Sequence, residues 1–167
     1  MLKRMNYDLA NDLGNFVSRT VSMIEKYNGG TVPDAVSSAM DEIDADLRAV
    51  AVGAASKVEE QMDKFAFNMA LEEIWIVVRR ANKYIDEKAP WVLAKTADTD
   101  PAAKAALDTV LHNLAEAIRI ISILIYPFMH TTSKEIRKQM GLWYADVVWE
   151  DAFEFEMMYQ EQVKKGD

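Results

Sequence analysis

Hydrophobic residues recur every three or four positions along most of this chain, which is the spacing of one buried face of an α-helix. The clearest run has apolar residues spaced by 4, 3, 4, 3 and 4 positions: Phe67, Leu71, Ile74, Val78, Ala81 and Ile85. The chain has no sustained alternation of apolar and polar residues, which would mark a half-buried strand. The pattern predicts an all-α fold, a single helical bundle of about five helices.

Local start and stop signals set the predicted helix ends. Asn28-Gly29-Gly30 ends the first helix, and Asp100 before Pro101 is typical of an N-cap followed by proline in the first turn. Pro127 stops the helix that begins there. The stretch from Thr132 to Glu135 fits a capping box, which would start a short helix ending at Gly141. We therefore predict helices over residues 2–27, 34–64, 65–87, 101–126 and 132–141.

Two segments give weaker signals. The second predicted helix is rich in small residues over 49–56, around Gly53, which favours a break or a close helix crossing there. Beyond Gly141 the chain is aromatic and acidic, and we expect it to be helical. We assign residues 1–142 to the helical domain. Residues 143–167 form a C-terminal extension, expected to be helical and packed on the bundle or trailing from it.

Three polar side chains lie four residues apart on the first predicted helix: Asn11, Asn15 and Arg19. At the helical period they share one edge, away from the apolar face. Asparagine is a poor helix former, because its amide competes for backbone partners. The stripe indicates a surface that binds polar groups of another molecule. The alternative is that these side chains cap loops or satisfy neighbouring helices.

Trp91 follows Pro90 just past the end of the third predicted helix. A tryptophan held by a proline turn either folds into the core or presents a flat face at the edge of the bundle, where an unpaired base can stack on it. Proteins recognise single-stranded RNA by stacking splayed bases on aromatic rings and by hydrogen bonds to their Watson–Crick edges. Asparagine supplies a donor and an acceptor, and arginine supplies a rigid donor fork. The stripe and Trp91 together favour RNA recognition.

Composition narrows the function further. The net charge of −8 argues against indiscriminate nucleic-acid binding, although basic residues concentrate between Arg79 and Lys95. Cysteine is absent, which excludes disulfides and thiolate chemistry and fits the cytoplasm. His112 and Glu116 have the spacing of a metal-ligand pair, but an exposed helical pair is the favoured interpretation, so we predict no metal site. No apolar run approaches the roughly 20 residues that a membrane-spanning helix needs.

Three blocks of the chain resemble one known family, the anticodon-binding domain of methionyl-tRNA synthetase. Residues 8–19, Asp-Leu-Ala-Asn-Asp-Leu-Gly-Asn-Phe-Val-Ser-Arg, resemble its opening helix. Residues 81–91, Ala-Asn-Lys-Tyr-Ile-Asp-Glu-Lys-Ala-Pro-Trp, resemble its second and most specific signature. Pro127-Phe128-Met129, with the residues up to Gly141, is similar to its closing segment. The blocks come in the family's order and cover residues 2 to about 142.

The resemblance implies a bundle that recognises the CAU anticodon of methionine tRNA. Asn15 and Arg19 would contact the first anticodon base, and Asn11 would help to shape that site. Trp91 would stack on an anticodon base, and Pro90 would hold the turn that presents it. Two further residues, Asn82 and Asp86, are candidates for supporting or contacting the same loop. Asp86 has an alternative role, which is to orient Arg19 by a charge-assisted bond.

The resemblance also implies what lies outside this chain. The HIGH and KMSKS signatures of the catalytic domain are absent, so we do not expect the chain to activate methionine by itself. No cofactor is expected here, because ATP and methionine would bind the catalytic domain of the parent synthetase. The expected partners are that domain and the anticodon loop of methionine tRNA, with no DNA and no membrane.

The tail departs from the family pattern, and the chain has an alternative function. Residues 143–167 do not follow the Pro-Leu-Phe-like return of the family, so we expect them to differ from it. The alternative function keeps the fold without RNA: a free-standing, synthetase-derived bundle that acts as a protein-interaction module. Its partner surface would be an amphipathic helix in the tail, carrying Trp149, Phe153, Phe155, Met157 and Met158.

Overall fold

The structure, a computed structural model, describes residues 2–158, 161–164 and 166, without the side chains of residues 2 and 3. Its α-helices, in chain order, are α1 Leu2–Asn28, α2 Glu42–Asp63, α3 Phe67–Lys88, α4 Pro90–Thr96, α5 Pro101–Ile125 and α6 His130–Gln139. Among the described residues no strand forms, and Thr31 and Gln162 make only an isolated bridge. The all-α prediction is confirmed, with α4 added to the five predicted helices.

Helix α5 is the centre of the bundle. The other five α-helices, α1, α2, α3, α4 and α6, each pack against α5. Every residue of α5 from Thr109 to Ile125 is buried, as expected of a helix enclosed on all sides. On α3 the predicted apolar face is buried from Leu71 to Ile85, whereas Phe67 is 40% exposed because it begins the helix.

Two predicted helix starts are wrong, and one of the two alternatives at Gly53 is not found. The second helix is continuous through Gly53, and it begins at Glu42 rather than at residue 34. Asp41 caps it, with a side chain that accepts hydrogen bonds from the backbone N–H groups of Ile43 and Asp44. The capping box at Thr132 does not form either, because α6 already begins at His130. The Ser133 hydroxyl instead donates to the Ser122 carbonyl of α5 at 2.6 Å.

The expectation of a helical tail is also wrong for the part of 143–167 that the structure describes. Only a short 3₁₀ turn, Trp149–Phe153, forms there. Two arginines of the bundle donate hydrogen bonds to backbone carbonyls of the tail. Arg119 donates to the carbonyls of Asp151 and Glu154, and Arg137 donates to those of Ala145 and Asp146. These carbonyls are therefore bonded to the bundle rather than to a helix of their own.

The tail closes against the loop after α1. Val32 donates to the carbonyl of Glu161 at 2.9 Å, and Val163 donates to that of Gly30 at 2.7 Å. Gly141 has φ 76°, and a Cβ built there would lie 2.5 Å from the carbonyl oxygen of Gln162. A glycine is thus required at this position for two reasons, its left-handed backbone and the close approach of the tail.

The amphipathic partner helix of the alternative function does not form, because tail side chains pack on the bundle of the same molecule. Trp149 is half-buried and donates to Glu59 of α2 at 2.7 Å. The guanidinium carbon of Arg48 lies 4.7 Å from the ring centroid of Phe155, and Met158 is buried.

In the described part of the chain, no helix has the length and apolarity to cross a membrane.

His112 and Glu116 do not form the exposed pair that their spacing suggested. Both are buried on α5 and serve different partners. The Nδ1 atom of His112 lies 3.0 Å from the Pro33 carbonyl, while Glu116 accepts from Arg119 and from the backbone of Met158. No group of three or more potential metal ligands occurs among the residues that the structure describes.

Candidate nucleic-acid interface

Three of the predicted site residues, from three different helices, lie together at the surface. Arg19 Nη2 of α1 is 3.6 Å from Asp86 Oδ1 of α3, and the Arg19 guanidinium carbon is 5.8 Å from the ring centroid of Trp91 on α4. Both members of the ion pair are exposed, so the pair is weak and either side chain can turn to another partner. At 3.6 Å the contact is an ion pair rather than the charge-assisted hydrogen bond considered for Asp86.

Helices α1 and α3 run side by side in the same direction. Trp75 of α3 donates to Asp12 of α1 at 3.0 Å, and farther along both helices Asp86 pairs with Arg19. The stripe on α1 therefore lies along one side of α3. We call Asn11, Asn15, Arg19, Asp86 and Trp91 the α1–α3 edge.

The amides along this edge differ in their surroundings. Asn11 and Asn15 are exposed, so their amides face solvent. Asn82 is half-buried, and its amide donates to the Val78 carbonyl of its own helix at 3.2 Å. Asn82 is thus placed to support α3, whereas Asn11 and Asn15 are free of the core. Contact of any of these residues with RNA stays a prediction.

A left-handed residue directs the chain from α3 into α4. Ala89 has φ 46° and ψ 61°, and its N–H donates to the Ile85 carbonyl at 2.9 Å, an ending for which glycine is the usual residue. Pro90 is buried and begins α4, where its missing N–H costs nothing. Trp91 comes next and is 40% exposed. Of the two interpretations of this tryptophan, the structure therefore supports the surface position.

An ion-pair cluster lies behind this turn. Lys88, the last residue of α3, places its ammonium 2.8 Å from Asp41 Oδ2 and 2.9 Å from Asp44 Oδ2. The bond from Lys88 lowers the pKa of Asp41 from 3.8 to about 2. Burial works against the charged form of Lys88, but its bonds to the two carboxylates outweigh burial and raise its pKa. Burial and the bond to Asp44 raise the pKa of Tyr84.

Acid titration of Asp41 gives a prediction for stability. Because its pKa is lower in the folded chain than in the unfolded one, its contribution is complete above about pH 4–5 and is lost as the pH falls toward 2. We expect the free energy of unfolding to fall over this window, and Asp41→Asn to flatten that fall. Urea denaturation at several pH values measures it. Asp98→Asn, which changes an exposed aspartate outside the ion-pair cluster of Lys88, is the control and should leave the slope unchanged.

The basic stretch from Arg79 to Lys95 is less positive than its sequence indicated. Arg80 pairs with Asp46 at 2.6 Å and with Glu87 at 2.7 Å, and Lys88 is held by the two aspartates. The acidic residues around Asp44 are therefore largely counterions of α3. The sequence analysis did not identify Lys88, Asp41 and Asp44 as support for the site. Lys88 immediately precedes the Ala-Pro-Trp sequence, which could have indicated a role for it, but its partners lie more than 40 residues away in the chain.

Comparison with known proteins identifies the family. A family model described as the anticodon binding domain of methionyl tRNA ligase matches residues 30–166. The methionine–tRNA ligase of Caldanaerobacter subterraneus subsp. tengcongensis is 50% identical over 168 residues, covering 100% of this chain and 25% of that protein. The Lactococcus lactis enzyme is 50% identical over 139 residues, covering 83% of this chain and 20% of that protein.

Solved structures give the same result. Mycobacterium tuberculosis methionyl-tRNA synthetase in complex with methionyl-adenylate has a TM-score of 0.85 at 32% identity, covering 99% of this chain and 31% of that one. The chain thus spans about a quarter of the length of the curated relatives cited above. The family match extends to residue 166, so the tail belongs to the family although it lacks the Pro-Leu-Phe-like return. This chain belongs to the family of the methionyl-tRNA ligase anticodon-binding domain.

Proposed function

We propose that this chain recognises the CAU anticodon of methionine tRNA for a methionine–tRNA ligase. The observation that carries the proposal is the contact of the Arg19 guanidinium with the Trp91 ring, 5.8 Å from its centroid, at an exposed edge of the bundle. A base that stacks on Trp91 would bring its polar edge within reach of Arg19 and of the Asn15 amide. Asn11 would shape the same site, and Asp86 would orient Arg19 through their ion pair.

The chemistry of this edge favours cytosine over uracil. Cytosine presents two acceptors, N3 and O2, beside an amino donor, whereas N3 of uracil carries a hydrogen. Arginine can only donate hydrogen bonds, so it can donate to N3 of cytosine but cannot bond to the N3–H group of uracil. The amide oxygen of Asn15 can accept from the amino group of cytosine. A wrong base thus leaves donors unpaired, which is the source of strong discrimination in polar sites.

The catalytic steps belong to the rest of the parent enzyme in this proposal. ATP and methionine would bind its catalytic domain, which is the second proposed partner besides the tRNA anticodon loop. We place the parent in the cytoplasm, where it would serve protein synthesis, and propose no DNA or membrane partner. The net charge of −8 suits this division, because an acidic domain holds RNA by selective contacts rather than by its overall charge.

The test compares anticodon stem-loops that bear CAU and UAU, titrated at one stated salt concentration. We expect the wild-type chain to prefer CAU by about ten- to a hundredfold, the range of a lost polar base contact. Arg19→Ala should remove most of this preference. Arg4→Ala, an exposed arginine fifteen positions earlier on α1, is the matched control and should preserve it. Equal binding of both stem-loops by the wild-type chain contradicts the proposal.

A further inference from the structure

A buried carboxylate lies behind the α1–α3 edge. Asp44 is fully buried, and its carboxylate accepts four hydrogen bonds within the protein. The donors are Tyr84 Oη at 2.6 Å, Asn113 Nδ2 at 3.2 Å, Lys88 Nζ at 2.9 Å and the backbone N–H of Asp41 at 2.8 Å. Such complete satisfaction is what allows a charge to remain in the interior.

These bonds join the start of α2, the end of α3 and the middle of α5 at one point. Asp44 lies in the first turn of α2, Tyr84 and Lys88 in the last turns of α3, and Asn113 in the middle of α5. Asn113 also accepts from Arg48, which extends the network toward the tail through Glu156. The last turn of α3 is thus tied to the centre of the bundle by directional bonds as well as by apolar packing.

Trp91 depends on where that turn ends. It follows Lys88 by three positions in the sequence, with two residues between them. The first of the intervening residues, Ala89, has φ 46°, a conformation that a non-glycine residue keeps only where its surroundings enforce it. Helix α4 has seven residues, too few to hold its own position without tertiary contacts, and it packs against α5, the helix whose Asn113 bonds to Asp44 and Tyr84. A small rotation of the last turn of α3 would therefore move the Trp91 ring relative to Arg19.

We propose that Asp44 is a positioning residue for anticodon recognition. Through Lys88 and Tyr84 it fixes the last turn of α3, and thereby the place of the Trp91 ring beside Arg19. This inference rests on the proposed function, since it concerns how the same site is built. A network that served stability alone would lower the melting temperature when broken, without a specific change at Trp91.

Fluorine NMR of the full chain labelled with fluorotryptophan separates these two roles, with the Trp91 line assigned by Trp91→Phe. In Lys88→Met we expect the Trp91 line to shift or broaden while the lines of Trp75, Trp143 and Trp149 stay in place. The affinity for the CAU stem-loop should fall about three- to tenfold, part of the effect of one stacked base, and the affinity for UAU should fall less. Lys83→Met removes an exposed charge from the same helix and should leave the Trp91 line unchanged.

Coupling to Asp44 is tested by combining variants. If Lys88 acts through Asp44, Lys88→Met changes the Trp91 line less in an Asp44→Asn background than in the wild-type chain. If Asp44→Asn does not fold, Tyr84→Phe, which removes the other bond from α3 to Asp44, should move the Trp91 line by itself. A wild-type chain that prefers CAU, together with a Trp91 line that Lys88→Met leaves unmoved, contradicts this inference alone. A wild-type chain without that preference contradicts the proposed function, whatever the Trp91 line shows.

Discussion

Replacing Arg119 with methionine is expected to lower the free energy of unfolding by about 3–5 kcal/mol, the cost of removing one partner from a buried ion pair. Arg119 and Glu116 are 5% and 0% exposed, and they pair at 2.9 Å on the central helix. The variant leaves the Glu116 carboxylate buried without its cation. It also removes the donors to the carbonyls of Asp151 and Glu154, so the tail loses part of its attachment. Urea denaturation of the two chains measures the difference.

Two companion variants make this result specific. Lys104→Met breaks an ion pair with Asp108 on the same helix, in which the lysine is 44% exposed, and should cost less than about 1 kcal/mol. Glu116→Gln combined with Arg119→Met should cost less than the sum of the two single changes, because no unpaired charge then remains. A loss no larger for Arg119→Met than for Lys104→Met would show that the buried pair does not hold the tail.

Trp91→Ala is expected to weaken binding of the CAU stem-loop by about 1–3 kcal/mol, roughly five- to 150-fold, which is the contribution of one stacked base. The fold should survive, because the side chain is 40% exposed and the helix that carries it is anchored by the buried Pro90. Fluorescence or calorimetric titration gives the affinity, and thermal denaturation of the same sample checks the fold.

The matched control for Trp91 is Trp143→Ala. Trp143 is 76% exposed and follows α6 in the tail, outside the α1–α3 edge. Its replacement should leave the affinity for both stem-loops unchanged. Unfolding of Trp91→Ala would mean that the ring is a core residue. An unchanged affinity in a folded Trp91→Ala would mean that no base stacks on it.

Most of the fold could be predicted because its signals are local. The 3.6-residue period identified every long helix, and Asn28-Gly29-Gly30 and Asp100-Pro101 marked two ends correctly. Local signals failed where a long-range partner competed with them. Thr132 and Glu135 have the spacing of a capping box, yet α6 begins at His130, and the adjacent Ser133 hydroxyl donates to the Ser122 carbonyl of α5. Gly53 permits a break, but nothing in the packing of α2 requires one.

The tail shows the same limit more strongly. Its aromatic and apolar residues suggested a helix, but a helix would need its own backbone carbonyls. Several of these carbonyls are bonded to Arg119 and Arg137, whose sequence positions give no sign of this role. Arg137 keeps its charge at a cost, since burial lowers its pKa. The conformation of the tail therefore depends on partners that only the folded bundle provides.

The site divides in the same way. Periodicity placed Asn11, Asn15 and Arg19 on one edge of α1, the turn at Pro90 indicated Trp91, and the family resemblance added Asp86. The structure brings Arg19, Asp86 and Trp91 together. What could not be foreseen is the support behind them, because Lys88 and Asp44 are 44 positions apart and belong to different helices. Residues that face solvent were visible from local pattern, and the residues that hold them in place were not.

The parallel course of α1 and α3 has a consequence for any attempt to imitate this protein with a peptide. The contact of Trp75 with Asp12 joins residues 63 positions apart, and α2 must return the chain before the two helices can meet. A synthetic fragment that carries either signature alone therefore cannot reproduce the surface. During ribosomal synthesis, the same geometry delays assembly of the surface until the chain has emerged beyond α4.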